Sequence, residues 1–168
     1  MQIHNDFELQ AYLNSVANQV INIVTGKVHM MLVEYIMKYT YEYGGLPNMD
    51  YYDESGYPTY EFMDSWFSEK IKTTLDSVIY RVAQDWQGMS YDPDTFLHGS
   101  KYTGDVRKQL ADILNVDGVS GGDFSGGENS KPRRAYFNLL LKDLNDGEMF
   151  KMLDEEFAKF GFFRRTII

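Results

Sequence analysis

The chain has 168 residues, 43% of them hydrophobic, which predicts a single domain with its own core over residues 1–168. It contains no cysteine, which excludes disulfides, thiolate metal sites and cysteine nucleophiles. Imidazole chemistry is limited to three histidines, His4, His29 and His98. The formal net charge of −9 is concentrated in residues 1–130, ahead of a mildly basic segment, and such an acidic surface repels nucleic-acid phosphates rather than gripping them.

The first long element is predicted to be an amphipathic helix. Asn5 followed by Glu8 matches a capping box at its start, and Gly44-Gly45 predicts its end. Gly26 costs about 1 kcal/mol relative to alanine inside a helix, so a kink or a break there is an alternative to one continuous helix. A helix this long either buries part of its face against another molecule or spans its own core. Its apolar residues recur in steps of three and four: Leu9, Leu13, Val16, Val20, Val24, Val28, Met31, Tyr35 and Tyr39.

The predicted N-terminal helix is the most apolar part of the chain, so it is the segment to examine for membrane insertion. Polar residues such as Lys27, His29 and Glu34 interrupt it, so no run of about 18 apolar residues occurs. The N-terminus also lacks a basic region followed by an apolar one. We therefore expect neither a membrane span nor a secretion signal.

Residues 44–60 are predicted to form an exposed arm rich in tyrosine and acidic side chains. Glycine, proline and asparagine recur there as turn residues, and no basic residue lies between Lys38 and Lys70. Tyrosine offers a large contact area at low entropic cost, so Tyr51, Tyr52 and Tyr57 are candidate contact residues. A loop folded over the core of its own chain is the alternative.

Residues 67–86 fit two structures. A helical stripe runs from Phe67 to Trp86, but β-branched residues are dense on both sides of Asp76-Ser77, as in a hairpin. The β-branched residues and the Asp-Ser turn favour two antiparallel strands.

The C-terminal half contains loops and helices. Residues 86–104 are predicted to be a loop, residues 105–115 a short helix, and residues 116–131 a flexible glycine-rich loop. Two helices hinged at residues 145–147 follow. Their apolar faces are predicted from Tyr136, Leu139, Leu140 and Leu144 in the first helix and from Phe150, Leu153, Phe157 and Phe160 in the second.

No motif supports catalysis, a cofactor or a metal. His98 and Ser100 are close in sequence, but the G-x-S-x-G elbow of a serine hydrolase is missing. Gly121 and Gly126 have the spacing of a phosphate-binding loop, but Gly-Glu follows where Lys-Ser/Thr is required. The acidic residues near 50–54 and 92–94 do not fit an EF-hand loop. We predict no catalytic, cofactor-binding or metal-binding residue.

The sequence contains two arginine doublets, Arg133-Arg134 and Arg164-Arg165. Their segment is close to neutral overall, so they are candidates for contact with an acidic surface such as the tyrosine arm of a neighbouring copy. Ordinary surface charge is the alternative.

Several landmarks follow one another in order over most of residues 5–163. They are a long N-terminal helix, "TYEFMDSW" at Thr59–Trp66, strand-like segments ending in "DWQGM", then "FLHGS", "LADILN", a glycine-rich segment, "KPRRAYF", and a C-terminal helix ending in "FAKFGF". In this order the chain resembles the minor structural proteins that join the head connector to the tail in tailed bacteriophages, the neck or tail-completion group. "TYEFMDSW" is similar to the group's Thr-Gly-x-Leu-x-x-Ser turn, with Tyr60 where the group usually has glycine, and "PRRAYF" stands where Arg-Pro-Phe is usual.

The resemblance implies an α+β fold in which a long N-terminal helix and C-terminal helices pack on a small antiparallel sheet; a mainly α fold is the alternative. It implies a virion protein without enzymatic activity or cofactor, made in the host cytoplasm, that forms a ring of six or twelve copies at the head–tail junction. Its partners would be the connector or head-closure protein and the tail terminator or tail tube protein. DNA would pass through the ring without specific binding, and no membrane would be involved. His98 would then lie in a loop that shapes a contact.

Two other functions fit parts of the sequence. A small acidic protein that mimics DNA and blocks a nucleic-acid enzyme would also carry dense carboxylates, although no regular carboxylate spacing is present. A hydrolase built around His98 would need a pocket and a histidine with a shifted pKa.

Overall fold

The computed structural model describes residues 5–41, 60–74, 77–90, 107–108, 111 and 136–165. Its elements in chain order are α1 (Asp6–Ile36), α2 (Glu61–Asp64), β1 (Trp66–Thr73), β2 (Val78–Gln84), α3 (Tyr136–Asp143) and α4 (Met149–Ala158). The strands β1 and β2 pair in an antiparallel two-stranded sheet. The predicted α+β class, with a long N-terminal helix, C-terminal helices and a small sheet, is confirmed.

Helix α1 begins at the predicted cap. The Asn5 side-chain oxygen accepts a hydrogen bond from the Glu8 backbone N–H at 2.9 Å, and the Asn5 amide donates to the Glu8 carboxylate at 3.3 Å. The helix continues through Gly26 without a break and runs into a π-helical turn at Met37–Tyr41. The sequence therefore encodes one helix here rather than two. The predicted stop at Gly44-Gly45 lies outside the described residues.

The buried face of α1 differs in part from the predicted one. Val16, Val20 and Val24 are buried as expected, but Leu32 and Ile36 continue the buried face in place of Met31 and Tyr35. Steps of four residues advance slightly more than one helical turn, so the buried stripe moves around the helix as it proceeds. The predicted core residues Leu9 and Leu13 are instead exposed at the beginning of the stripe.

The hairpin confirms strands rather than a helix over residues 67–86. Next to the turn, the Thr74 N–H donates to the Ser77 carbonyl at 2.8 Å, and the two hydroxyl groups lie 2.7 Å apart. Farther along the strands, Arg81 of β2 pairs with Glu69 of β1. An opposite-charge pair across two strands stabilises this register.

The C-terminal helices are separated at the predicted hinge. The chain is kinked within Leu144–Glu148, where Gly147 has a φ of 125°, outside the helical range. In α3 the predicted residues Tyr136 and Leu140 are buried. In α4 the predicted face is partly wrong, because Phe150 is 55% exposed and the buried residues are Met152 and Glu156. Gly147 interrupts the helical backbone between α3 and α4, so a 3.6-residue period read along the sequence does not carry across it.

The contacts divide the chain into two compact units, and α1 contributes to both. One unit contains α1 up to Met30, the central part of the hairpin (Ser68–Ala83) and the chain from Asp143 onward. Its core includes Val16, Val20, Val24, Leu144 and Met152. The other contains the chain from Met31 to Phe67 and from Gln84 to Lys142. Its core includes Leu32, Ile36, Phe62, Met89, Tyr136 and Leu140.

Candidate functional site

The segment from Tyr60 to Ser65 begins with a left-handed residue. Tyr60 has φ 55° and ψ 22°, and it is the only residue other than glycine with a positive φ in the described part of the chain. Its carbonyl accepts the Asp64 N–H at 3.0 Å, and the Ser65 hydroxyl donates to the Phe62 carbonyl at 2.8 Å. Tyr60 therefore turns the chain into α2, and Ser65 closes the far end of this short helix.

Phe62 fixes this turn on an aromatic core. Its ring meets Trp66 edge to face at 6.3 Å between centroids, and it meets Tyr136 in the same way at 6.0 Å. Such pairs contribute roughly 0.5–1.5 kcal/mol each beyond the area they bury. The position of α2 is therefore set by buried contacts rather than by its own four residues.

A second turn follows β2. Trp86–Gly88 form a 3₁₀ turn, which Asp85 caps by accepting the Gly88 N–H on its Oδ1 atom at 3.3 Å. A Cβ atom at Gly88 would lie 3.1 Å from Asp85 Oδ2, so this position fits glycine best. The Asp85 N–H donates to the Ser65 carbonyl at 2.8 Å, which ties this turn to the end of α2.

These two turns line an open surface pocket of about 730 Å³, here called the acidic pocket. Three of its residues, Glu61, Asp64 and Asp85, are acidic, and Phe67, Trp86 and Met89 give it an apolar side. The remaining lining residues are Ser65, Gln84, Gln87 and Gly88. Carboxylates beside aromatic surface are suited to a cation that also has an apolar part.

The carboxylates of the acidic pocket are not equally available. Both oxygens of Glu61 accept hydrogen bonds from Ser90, one from its N–H at 2.7 Å and the other from its hydroxyl group. Asp64 is exposed. Arg107 contributes a positive charge nearby, since its guanidinium lies 6.0 Å from the Trp86 ring centre and donates to the Met89 carbonyl at 3.0 Å. Among the described residues, three carboxylates against one guanidinium give the pocket lining a net negative charge.

The chain leaves α4 as a short segment that presents aromatic and basic groups, here called the C-terminal strip (residues 162–165). Gly161 has a φ of 83°, which turns the chain away from the helix. The Phe162 ring packs against the rings of Phe157 and Tyr12, with distances between ring centroids of 6.3 Å and 6.4 Å. Phe163, by contrast, is 78% exposed. The strip is therefore anchored through one aromatic residue and exposes the next.

The predicted contact residues Arg164 and Arg165 are both exposed on this strip. Arg164 lies 3.7 Å from Asp154, and its guanidinium lies 5.1 Å from the centre of the Phe150 ring. Both contacts are at the surface, where an ion pair contributes little and leaves a side chain able to exchange partners. The doublet is therefore accessible to another molecule.

Glu156 of α4 is a buried carboxylate held by two lysines. It is 1% exposed and accepts hydrogen bonds from Lys159 at 2.6 Å and from Lys27 of α1 at 2.8 Å. The hydrogen bond from Lys159, followed by that from Lys27, holds the pKa of Glu156 below its usual range. The hydrogen bond to Glu156 raises the pKa of Lys27. This cluster ties α4 to α1 within one unit.

Helix α1 also carries exposed apolar side chains. They are Phe7, Leu9, Leu13, Ile23 and Met30. By length and composition alone, Asp6–Tyr39 is the one helix in the described ranges that could cross a membrane, and 22% of its apolar window is buried inside the chain. Core helices of soluble proteins meet the same criterion, and the expectation of no membrane contact stays a prediction.

The other predicted site residues lie outside the described ranges. They are Tyr51, Tyr52, Tyr57, His98, Arg133 and Arg134. The same holds for the glycine-rich loop at 116–131 and for all of the predicted arm at 44–60 except Tyr60. Within the described ranges, no group of three histidine or acidic side chains could hold a metal ion.

Sequence reasoning did not identify the acidic pocket or the Glu156 cluster. The spacing of Asp85 and Gly88 is a turn signal that could have indicated part of the pocket. The pairing of Lys27 with Glu156 joins residues 129 positions apart, and no local pattern reports it.

No family model, curated protein or solved structure matches the chain.

Proposed function

We propose that this chain is a minor structural protein of the head–tail junction of a tailed bacteriophage. In this proposal it is not an enzyme and binds no cofactor. Copies form a ring around the DNA channel between the connector or head-closure protein and the tail terminator or tail tube protein. It is made in the host cytoplasm and functions in the virion.

The backbone of Tyr60 is the observation that carries this proposal. The resemblance places a glycine of the Thr-Gly-x-Leu-x-x-Ser turn at this position, and Tyr60 has the left-handed conformation that glycine adopts without cost. A tyrosine there costs roughly 1–2 kcal/mol. The left-handed backbone thus accounts for a glycine at this position of the group's turn, and Tyr60 keeps the same conformation despite the cost.

The other positions of the motif also have structural roles consistent with the resemblance. Phe62 occupies the leucine position and is buried in an aromatic core. Ser65 occupies the serine position, where its hydroxyl closes α2 and accepts a hydrogen bond from the Gln84 amide at 3.1 Å. The motif therefore acts as a structural turn, and no reaction needs to be assigned to it.

The exposed surface supports an assembling protein. Phe7 and Phe163 are each at least 75% exposed, and Met30 is 65% exposed. Aromatic residues and methionine are enriched at the centres of protein–protein interfaces, so these exposed side chains are available for contacts with a partner. The acidic overall charge would favour passage of DNA through a ring, because its phosphates would find few counter-charges.

Antibody labelling of virus particles tests the proposal. Antibodies raised against the chain, coupled to gold, should label density-purified particles at the junction between head and tail in negative-stain electron microscopy. Particles disrupted to release tails should carry label at the broken end. Label along the capsid or the tail fibres, or none on intact and disrupted particles, would contradict a junction role.

A further inference from the structure

We infer that the acidic pocket of one copy receives the C-terminal strip of a second copy. The inference rests on the proposed function only in requiring that copies of the chain meet.

The acidic pocket has the size and the charge to receive a basic segment. A volume of about 730 Å³ lies within the range of roughly 300–1,000 Å³ typical of ligand sites, so the acidic pocket has room for more than one side chain. Glu61 has both oxygens engaged by Ser90, and Asp85 uses Oδ1 as a cap. Asp64 and the second oxygen of Asp85 remain to attract a cation. The occupant should therefore be cationic with an apolar part.

The C-terminal strip presents an exposed aromatic ring next to two positive charges. Phe163 is the most exposed large hydrophobic side chain in the described ranges, and Arg164 and Arg165 follow it directly. Phe162 is packed on Phe157 and Tyr12, so the strip is held in place before it meets a partner. An anchored segment loses less conformational freedom on binding than a free one.

The two surfaces are complementary in both respects. Phe163 would lie against the partly exposed apolar side chains of Phe67 and Trp86. Arg165 would then approach Asp64 and the second oxygen of Asp85, and a guanidinium can bind a carboxylate through two hydrogen bonds. Burial of Phe163 supplies the apolar driving force, and opposite charges fix the orientation.

The contact is head to tail in character. Each copy has one strip and one pocket, and the two are different surfaces, so each copy can bind one neighbour with each. Contacts of this kind close into a ring when the rotation between copies allows it. Such a pair of surfaces is what a ring of identical copies requires.

Disulfide trapping tests the inference, because the chain contains no cysteine of its own. One copy carries Gln87→Cys, in the pocket lining, and a size-tagged second copy carries Arg164→Cys, which leaves Phe163 and Arg165 in place. Mixed under mild oxidation, they should form a heterodimer roughly tenfold faster than a pair in which Asn22→Cys, an exposed polar position on α1, replaces the pocket cysteine. Equal rates would overturn the inference.

Charge variants show whether the named residues carry the contact. Asp64→Lys added to the pocket copy, or Phe163→Ala added to the strip copy, should slow trapping roughly tenfold, whereas Glu34→Lys, a charge reversal at an exposed position on α1, should not. Equal slowing by Asp64→Lys and Glu34→Lys would mean that overall charge, not the pocket, directs the contact.

A single chain with both cysteines distinguishes contact between copies from contact within one. At high dilution the double variant Gln87→Cys with Arg164→Cys should remain reduced. A disulfide bond formed within one monomer would overturn the assignment to a second copy.

The proposed function can fail separately from this inference. Specific trapping of the purified protein, together with its absence from virus particles, would retain the contact and reject the phage role.

Discussion

Lys27 Nζ lies 2.8 Å from Oε1 of Glu156, although the two residues are 129 positions apart in the chain. The carboxylate is 1% exposed and has Lys159 as its second partner. A buried charge is tolerated when it is paired and hydrogen-bonded, and the two lysines stabilise the ionised form of Glu156. This cluster fixes α4 against α1 in the unit that presents the C-terminal strip.

Replacement of Glu156 should therefore destabilise the protein more than replacement of its neighbour. Glu156→Ala removes a buried carboxylate that two lysines bind. Glu155→Ala removes an exposed carboxylate that lies 3.9 Å from Lys27. Urea unfolding should show a clearly lower midpoint for Glu156→Ala and almost no change for Glu155→Ala. Equal midpoints would show that the buried cluster does not stabilise the fold.

The same cluster predicts how stability depends on pH. The folded pKa of Glu156 is lowered, so its contribution is fully present above its unfolded pKa of about 4.3 and is lost as pH falls through the folded value. The folded pKa of Lys27 is raised, so its contribution is present below about pH 10.4 and is lost as pH rises through the folded value.

Thermal unfolding of the wild type and of Glu156→Gln across acidic pH measures the first of these effects. The difference in stability between the two proteins should be constant near neutral pH and should shrink below about pH 4.3. A difference that stays constant into strong acid would mean that the ionised form of Glu156 has no special stability in the folded protein.

The left-handed backbone at Tyr60 predicts an order of stability between two variants. Tyr60→Gly and Tyr60→Ala both remove the ring, and they differ chiefly in the cost of a positive φ. The glycine variant should be more stable than the alanine variant by about 1 kcal/mol in urea unfolding. In an ordinary helix the order is reversed, so an alanine variant of equal or higher stability would exclude a left-handed Tyr60 in solution.

Gly26 and Gly147 form a second matched pair. A Cβ atom would meet nothing within 4 Å at either position, so the two alanine variants differ through the backbone. Gly26→Ala lies inside α1 and should stabilise the protein by roughly 0.5–1 kcal/mol. Gly147 has a φ of 125°, so Gly147→Ala should destabilise it by roughly 1–3 kcal/mol. Changes of the same sign at both positions would contradict a hinge at Gly147.

Local patterns predicted the parts of the fold that depend on neighbouring residues. The cap of α1 follows from the spacing of Asn5 and Glu8, the hairpin from β-branched residues around a turn, and the hinge from Gly147. Each of these features is formed within a few residues of chain, so its signal is present in the sequence itself.

The features that depend on distant contacts were not predicted. Phe150 is exposed and Glu156 is buried because of the way α4 packs against α1, where Lys27 pairs with Glu156. No local pattern in the sequence specifies this packing. The acidic pocket likewise needs α2 and the turn after β2 to meet, through the hydrogen bond between Asp85 and Ser65. Arg164 and Arg165 are exposed at the surface, and the other predicted contact residues lie outside the described ranges.

Quantitative mass spectrometry of density-purified virus particles from the source culture tests the central claim most directly. The ratio of this chain to the portal subunit should be low and the same in independent preparations, as expected for one ring in each particle. Absence of the chain from intact particles, or a ratio that varies with the purity of the preparation, would contradict a structural role at the head–tail junction.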